Sequence, residues 1–141
     1  MIVAGCGARG NVMRVGRKIV TTIFGFAIQI AAAQAQDAAN GEEIFKKCRA
    51  CHMIGPDAQN RVGPVLNGVI GRKAGMIEGF SYSDANKEAG AKGLVWTEDV
   101  LFKYLEKPMV FLPKTKMAFA GLTDEADRKD VIAYLKQFTA K

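Results

Sequence analysis

One histidine and one tryptophan occur in the 141 residues, and cysteine occurs three times. A single imidazole excludes any centre built on two histidines, so a metal held by it must find its remaining ligands elsewhere. No apolar run reaches the roughly 20 residues that a membrane-spanning helix needs. Strand signals and internal repeats are scarce, and no pair of carboxylates is spaced for acid–base catalysis, so no enzyme is predicted. Aspartate and glutamate are missing altogether before residue 37.

That last absence explains the charge. The formal net charge is +6, but Arg9, Arg14, Arg17 and Lys18 precede every acidic residue, and without them the balance falls to +2. The basic character belongs to the N-terminal segment, and a nucleic-acid partner is not implied by the rest. In that segment "RVGRK" leads into the apolar run "IVTTIFGFAIQIAAA" (residues 19–33), and Ala33 and Ala35 flank Gln34 as a small-residue cleavage site. The pattern predicts an export signal over residues 1–35 and a mature domain over residues 36–141. Met13, directly before the basic stretch, offers an alternative start. A membrane anchor through residues 19–33 is the rival reading. With cleavage, Cys6 is lost, and Cys48 and Cys51 are the only thiols of the mature, periplasmic chain.

Helix signals follow. Asp37 can cap a helix running to about Cys48 and Ser83 a short one closed by Gly90, while Thr97 precedes Glu98 and Asp99 at the start of a third that Pro108 stops. Thr123 opens the strongest, "DEADRKDVIAYLKQF", with Val131, Tyr134, Leu135 and Phe138 on one apolar face. Between Met53 and Gly79 the chain is rich in glycine, proline and asparagine and has no period. The class predicted is all-α, with loops long enough that side chains alone make a thin core. An apolar cofactor would fill it.

"CRACH" (Cys48 to His52) holds the lone histidine behind two cysteines. Structural zinc needs four ligands, and the mature chain offers three, two of them adjacent. A dithiol redox pair prefers a βαβ setting, and a plain disulfide leaves His52 unexplained. Covalent attachment of one c-type haem uses all three residues. Thiols about one helical turn apart add to the two vinyl groups, and the next residue presents its imidazole to iron. A sixth ligand would then come from methionine. Met53 is too near His52 to reach the opposite face, while spacing leaves Met76, Met109 and Met117 open.

Beyond this motif, "GPVLNGVIGRKAG", "GFSYSDANK", "LVWTEDVLFKYLEKP", "LPKTKMAFAGL" and "DVIAYLK" occur in an order that resembles class I c-type cytochromes, bacterial and mitochondrial, over nearly all of the mature chain. The resemblance implies the class I fold, short helices and long loops wrapped around one haem, with the first and last helices crossing at Gly41 and Phe45 against Tyr134 and Leu135. It implies Met117 as distal ligand opposite His52, and Pro64 as acceptor for the far ring nitrogen of His52. Arg72, Tyr82 and Trp96 match positions that hold a haem propionate. Asn86, Tyr104 and Thr115 match a polar network around a buried water near the methionine sulfur. Lys114 departs from the pattern, standing where the family usually has glycine; a positive φ there would strain it.

The function implied is one-electron transport by a monomeric periplasmic protein. The donor would be a quinol-oxidising cytochrome complex, and the acceptor a terminal oxidase or photosynthetic reaction centre. Lys46, Lys47, Lys107, Lys114 and Lys116 flank the two ligand segments and could steer docking onto acidic surfaces, with rates that fall as salt rises. The alternative is a haem sensor or small peroxidase with an open or labile sixth site.

Overall fold

Four short polar side chains set where the helices begin. In the computed structural model, which describes residues 36–138, Asp37, Ser83, Thr97 and Asp124 each accept hydrogen bonds from backbone N–H groups of the first helical turn. These groups have no partner inside the helix, so a capping oxygen is stabilising there. The elements are α1 (Ala38–Phe45), α2 (Asp84–Ala91), α3 (Glu98–Glu106), α4 (Pro108–Phe111) and α5 (Glu125–Lys136). Among the described residues the only β pairing is an isolated bridge between Lys73 and Val95. The all-α expectation holds. No described helix is long and apolar enough to cross a membrane.

Helix ends differ from the sequence expectations in instructive ways. Helix α5 is capped by Asp124, not opened by Thr123, because the carboxylate reaches the N–H groups of both Ala126 and Asp127. The carbonyl of Thr123 is instead taken by the Arg128 guanidinium. Helix α1 stops at Phe45, and from Lys46 to Cys48 each N–H bonds the carbonyl three residues back, tightening the chain into the turns that carry the cysteines. Helix α2 passes through Gly90. Its stop is Gly93, at φ +92, where Leu94 N–H reaches the Ala89 carbonyl and Gly93 N–H that of Gly90. Gly90 serves packing instead: a Cβ there would collide with the carbonyl of Ala74. Pro108, expected only as a stop, also starts α4, since its missing N–H costs nothing at a first helical position.

The crossing of α1 and α5 organises the core. A Cβ on Gly41 would overlap the Asp130 carbonyl and lie 2.9 Å from Tyr134 Cβ, so backbone meets backbone with no side chain between. The Phe45 and Tyr134 rings pack 5.3 Å apart beside this contact. Buried Asp130 adds a polar clasp, accepting from Asp37 N–H and from Asn40 Nδ2, each at 2.8 Å. Arg128 is also buried, donating to the carbonyls of Leu122 and Thr123 while its guanidinium lies 4.4 Å from the Phe102 ring centre. The segment between α1 and α2 is irregular, as expected. It is held to the residues after α5 and before α3 by Gly68 N–H on the Phe138 carbonyl and by Trp96 N–H on that of Arg72.

Candidate functional site

Cys48, Cys51 and His52 share one tight turn directly after α1. The N–H groups of Cys51 and His52 both donate to the Cys48 carbonyl, at 3.0 and 2.9 Å, so the two thiols stand about one turn apart. Both thiols are free and partly buried. Burial pushes the Cys48 thiol up to about 11, against a smaller opposing pull from the Lys47 charge. Among the described residues no three histidine, cysteine, aspartate or glutamate side chains converge on a common point.

The His52 ring is fixed from two sides. Its Nδ1 lies 2.7 Å from the Pro64 carbonyl oxygen. A carbonyl only accepts, so Nδ1 carries the proton and the lone pair of the neutral ring is on Nε2. Burial holds His52 below the usual histidine range, with the Pro64 bond opposing and the nearby Arg72 charge reinforcing this. Gly63 packs against the face of the ring so closely that a Cβ would overlap three of its atoms. Gly63 N–H in turn donates to the Cys51 carbonyl at 2.8 Å. The loop is braced further by Asn67, whose amide exchanges two hydrogen bonds with the backbone of Gly55 at 2.9 and 2.8 Å. Neither Gly63 nor Asn67 was assigned a role from sequence. The signal available was the glycine before Pro64, whose need for a flat face shows only once the ring is in place.

Arg72, Tyr82 and Trp96 lie on connected segments. Arg72 donates to the carbonyls of Asn67 and Val65 at 2.9 and 3.0 Å, bracing the loop that carries Pro64. Its guanidinium also acts on the half-buried Tyr82 phenol, which burial pushes up and Arg72 pulls down. Backbone bonds from Gly71 N–H to Trp96 and from Trp96 N–H to Arg72 join the third member. Trp96 is buried, 4.7 Å from the Tyr104 ring.

Met117 is held by Tyr104 of α3 and by its near neighbour Thr115. Tyr104 Oη donates to Met117 Sδ at 3.1 Å, and Met117 N–H donates to Thr115 Oγ1 at 3.3 Å. Burial raises the Tyr104 phenol above its ordinary range, and Thr115 offsets this in part. Met117 packs on the core, whereas Met76 and Met109 are 61% and 60% exposed. Asn86 makes no direct side-chain bond to Tyr104, Thr115 or Met117, and its backbone N–H donates to Ser83 Oγ. On the outer side, Lys116 Nζ donates to the Ser81 carbonyl at 3.0 Å, pinning the methionine loop to the segment before α2.

A family model described as cytochrome c matches residues 38–139. The chain belongs to the cytochrome c family. It is 55% identical over 124 residues to "Cytochrome c2" of Blastochloris viridis, covering 88% of this chain and 95% of that one. "Cytochrome c-550" of Ancylobacter novellus is 55% identical over 102 residues, 72% of this chain and 95% of its own. The solved structure of cytochrome c2 from Rhodospirillum centenum superposes with a TM-score of 0.70 at 51% identity, over 74% of this chain and 99% of that one. A class I c-type cytochrome carries one covalently bound haem c, and the donor set suits it. Two free thiols stand one turn apart, and beside them an imidazole is kept neutral with Nε2 free to ligate.

Proposed function

We propose that the protein is a periplasmic one-electron carrier in which Cys48 and Cys51 anchor haem c, and His52 and Met117 are the axial ligands. One observation carries the choice of a carrier over an open-site sensor or peroxidase. Of the three candidate methionines, Met117 is packed on the core and tied by Tyr104, while Met76 and Met109 are exposed side chains. When bound, the haem supplies a one-electron couple of its iron.

The residues of the chain do the rest. The Pro64 carbonyl fixes the His52 ring and, by accepting from Nδ1–H, makes Nε2 a stronger donor. The Tyr104 hydroxyl occupies one lone pair of the Met117 sulfur and leaves the other free. The Tyr104 ring is itself buried and packs 4.7 Å from that of buried Trp96. A neutral thioether beside these buried rings would disfavour the extra positive charge of ferric iron, so the potential should be high. Replacing Tyr104 with phenylalanine removes a positive hydroxyl end from the sulfur and stabilises the ferric form. One hydrogen bond is worth about 1 kcal/mol net, so the midpoint potential should fall by up to about 40 mV in a redox titration. An unchanged or higher potential would show that the hydroxyl does not act on the ligand.

Docking onto acidic membrane complexes, a quinol-oxidising donor and an oxidase or reaction-centre acceptor, follows from the basic flank. Lys46 and Lys47 pair with Glu43 and Asp127, so steering rests chiefly on Lys107, Lys114 and Lys116. The export signal, residues 1–35, lies outside the described residues. One experiment tests location and ligation together. The protein recovered from a periplasmic fraction should begin at Gln36 and absorb as a low-spin haem with a weak near-infrared thioether band. Its ferrous form should refuse carbon monoxide. Prompt carbon monoxide binding would favour the open-site reading, and a colourless product with reactive thiols would end both.

A further inference from the structure

Lys114 is the one non-glycine residue with positive φ among those described, at +65°. It follows Pro113, and Thr115 N–H donates to the Leu112 carbonyl at 3.2 Å. Proline second, positive φ third and a bond closing four residues are the marks of a type II turn, whose third position favours glycine. An L-residue with a Cβ meets the following carbonyl there and is strained. The Lys114 side chain is exposed, while its neighbours are tethered: Lys116 to Ser81, Thr115 to Met117 N–H, and the Met117 sulfur to Tyr104. Side-chain ties thus hold shut a turn whose own backbone resists closure.

We propose that Lys114 is a positioning residue that sets how firmly Met117 is held. Its left-handed backbone makes the segment from Leu112 to Met117 cheaper to open, so that the thioether yields more readily to a small added ligand. The inference rests on Met117 as axial ligand. It assigns the strain to the backbone of one residue, not to the lysine charge.

The test compares the ferric wild type with Lys114→Gly, Lys114→Asn and Lys114→Ala. Each is titrated with imidazole while the near-infrared thioether band is followed. Glycine and asparagine both tolerate positive φ, whereas alanine removes the charge and keeps the strain. The glycine and asparagine variants should bind imidazole about threefold to tenfold more weakly than wild type, and alanine should match wild type. Equal affinities across the series would overturn the proposal. So would an alanine variant that behaves like glycine, since the side chain and not the backbone would then be responsible. A wild type without the band, whose imidazole affinity is unchanged by Met117→Ala, would instead refute Met117 ligation. This inference would fall with it, for a separately visible reason.

Discussion

Gly41→Ala is expected to cost about 3–5 kcal/mol, a large part of the 5–15 kcal/mol that usually separates folded from unfolded states. The new methyl group would enter the space of the Asp130 carbonyl, which belongs to a helix backbone and cannot turn aside. Helices α1 and α5 would have to separate. That loosens the Phe45–Tyr134 ring contact and both hydrogen bonds that Asp130 receives. Alanine gains about 1 kcal/mol of helix propensity over glycine, too little to offset the loss. Urea unfolding measures the outcome. A midpoint that shifts by less than 1 kcal/mol worth of stability, at unchanged slope, would mean that the helices part at little cost.

Gly63→Ala is the second change with a large expected effect, and it acts on the site. The added Cβ would overlap the His52 imidazole, which must tilt or move away. Either movement breaks the 2.7 Å bond from Nδ1 to the Pro64 carbonyl. The overpacking and the lost hydrogen bond together should destabilise the protein by about 1–3 kcal/mol. A ring without that acceptor is also a weaker donor through Nε2, so the midpoint potential should rise. Proton NMR of the reduced protein checks the geometry directly, because the Nδ1–H signal should shift or vanish. An unaltered signal and potential would show that the ring has room the contact denies.

Much of the site was visible in the chain order. "CRACH" joins both thiols to the imidazole within five residues, and one helical turn holds them whatever the rest of the fold does. The caps at Asp37, Ser83 and Thr97 were equally local, since each needs only an oxygen two or three residues before the N–H groups it serves. Asp124 and Gly93 displaced the expected Thr123 and Gly90 because cap choice depends on the backbone angles actually adopted. Spacing could not choose among Met76, Met109 and Met117. Met117 is singled out by a bond from Tyr104, 13 residues away in the chain, whereas Met76 and Met109 stay exposed.

By itself, then, the sequence determined the attachment motif, the all-α class and the helix starts after Asp37, Ser83 and Thr97, for these follow from interactions between near neighbours. The tertiary structure decided what distant segments do to one another. It set Gly41 against Asp130, Gly63 against the His52 ring, and Tyr104 on the Met117 sulfur. It also left Lys114 in a left-handed turn that a lysine would not choose alone. The physical reason is range. Hydrogen bonds within a turn are fixed by the backbone, whereas close contact and strain exist only after the chain has folded back on itself.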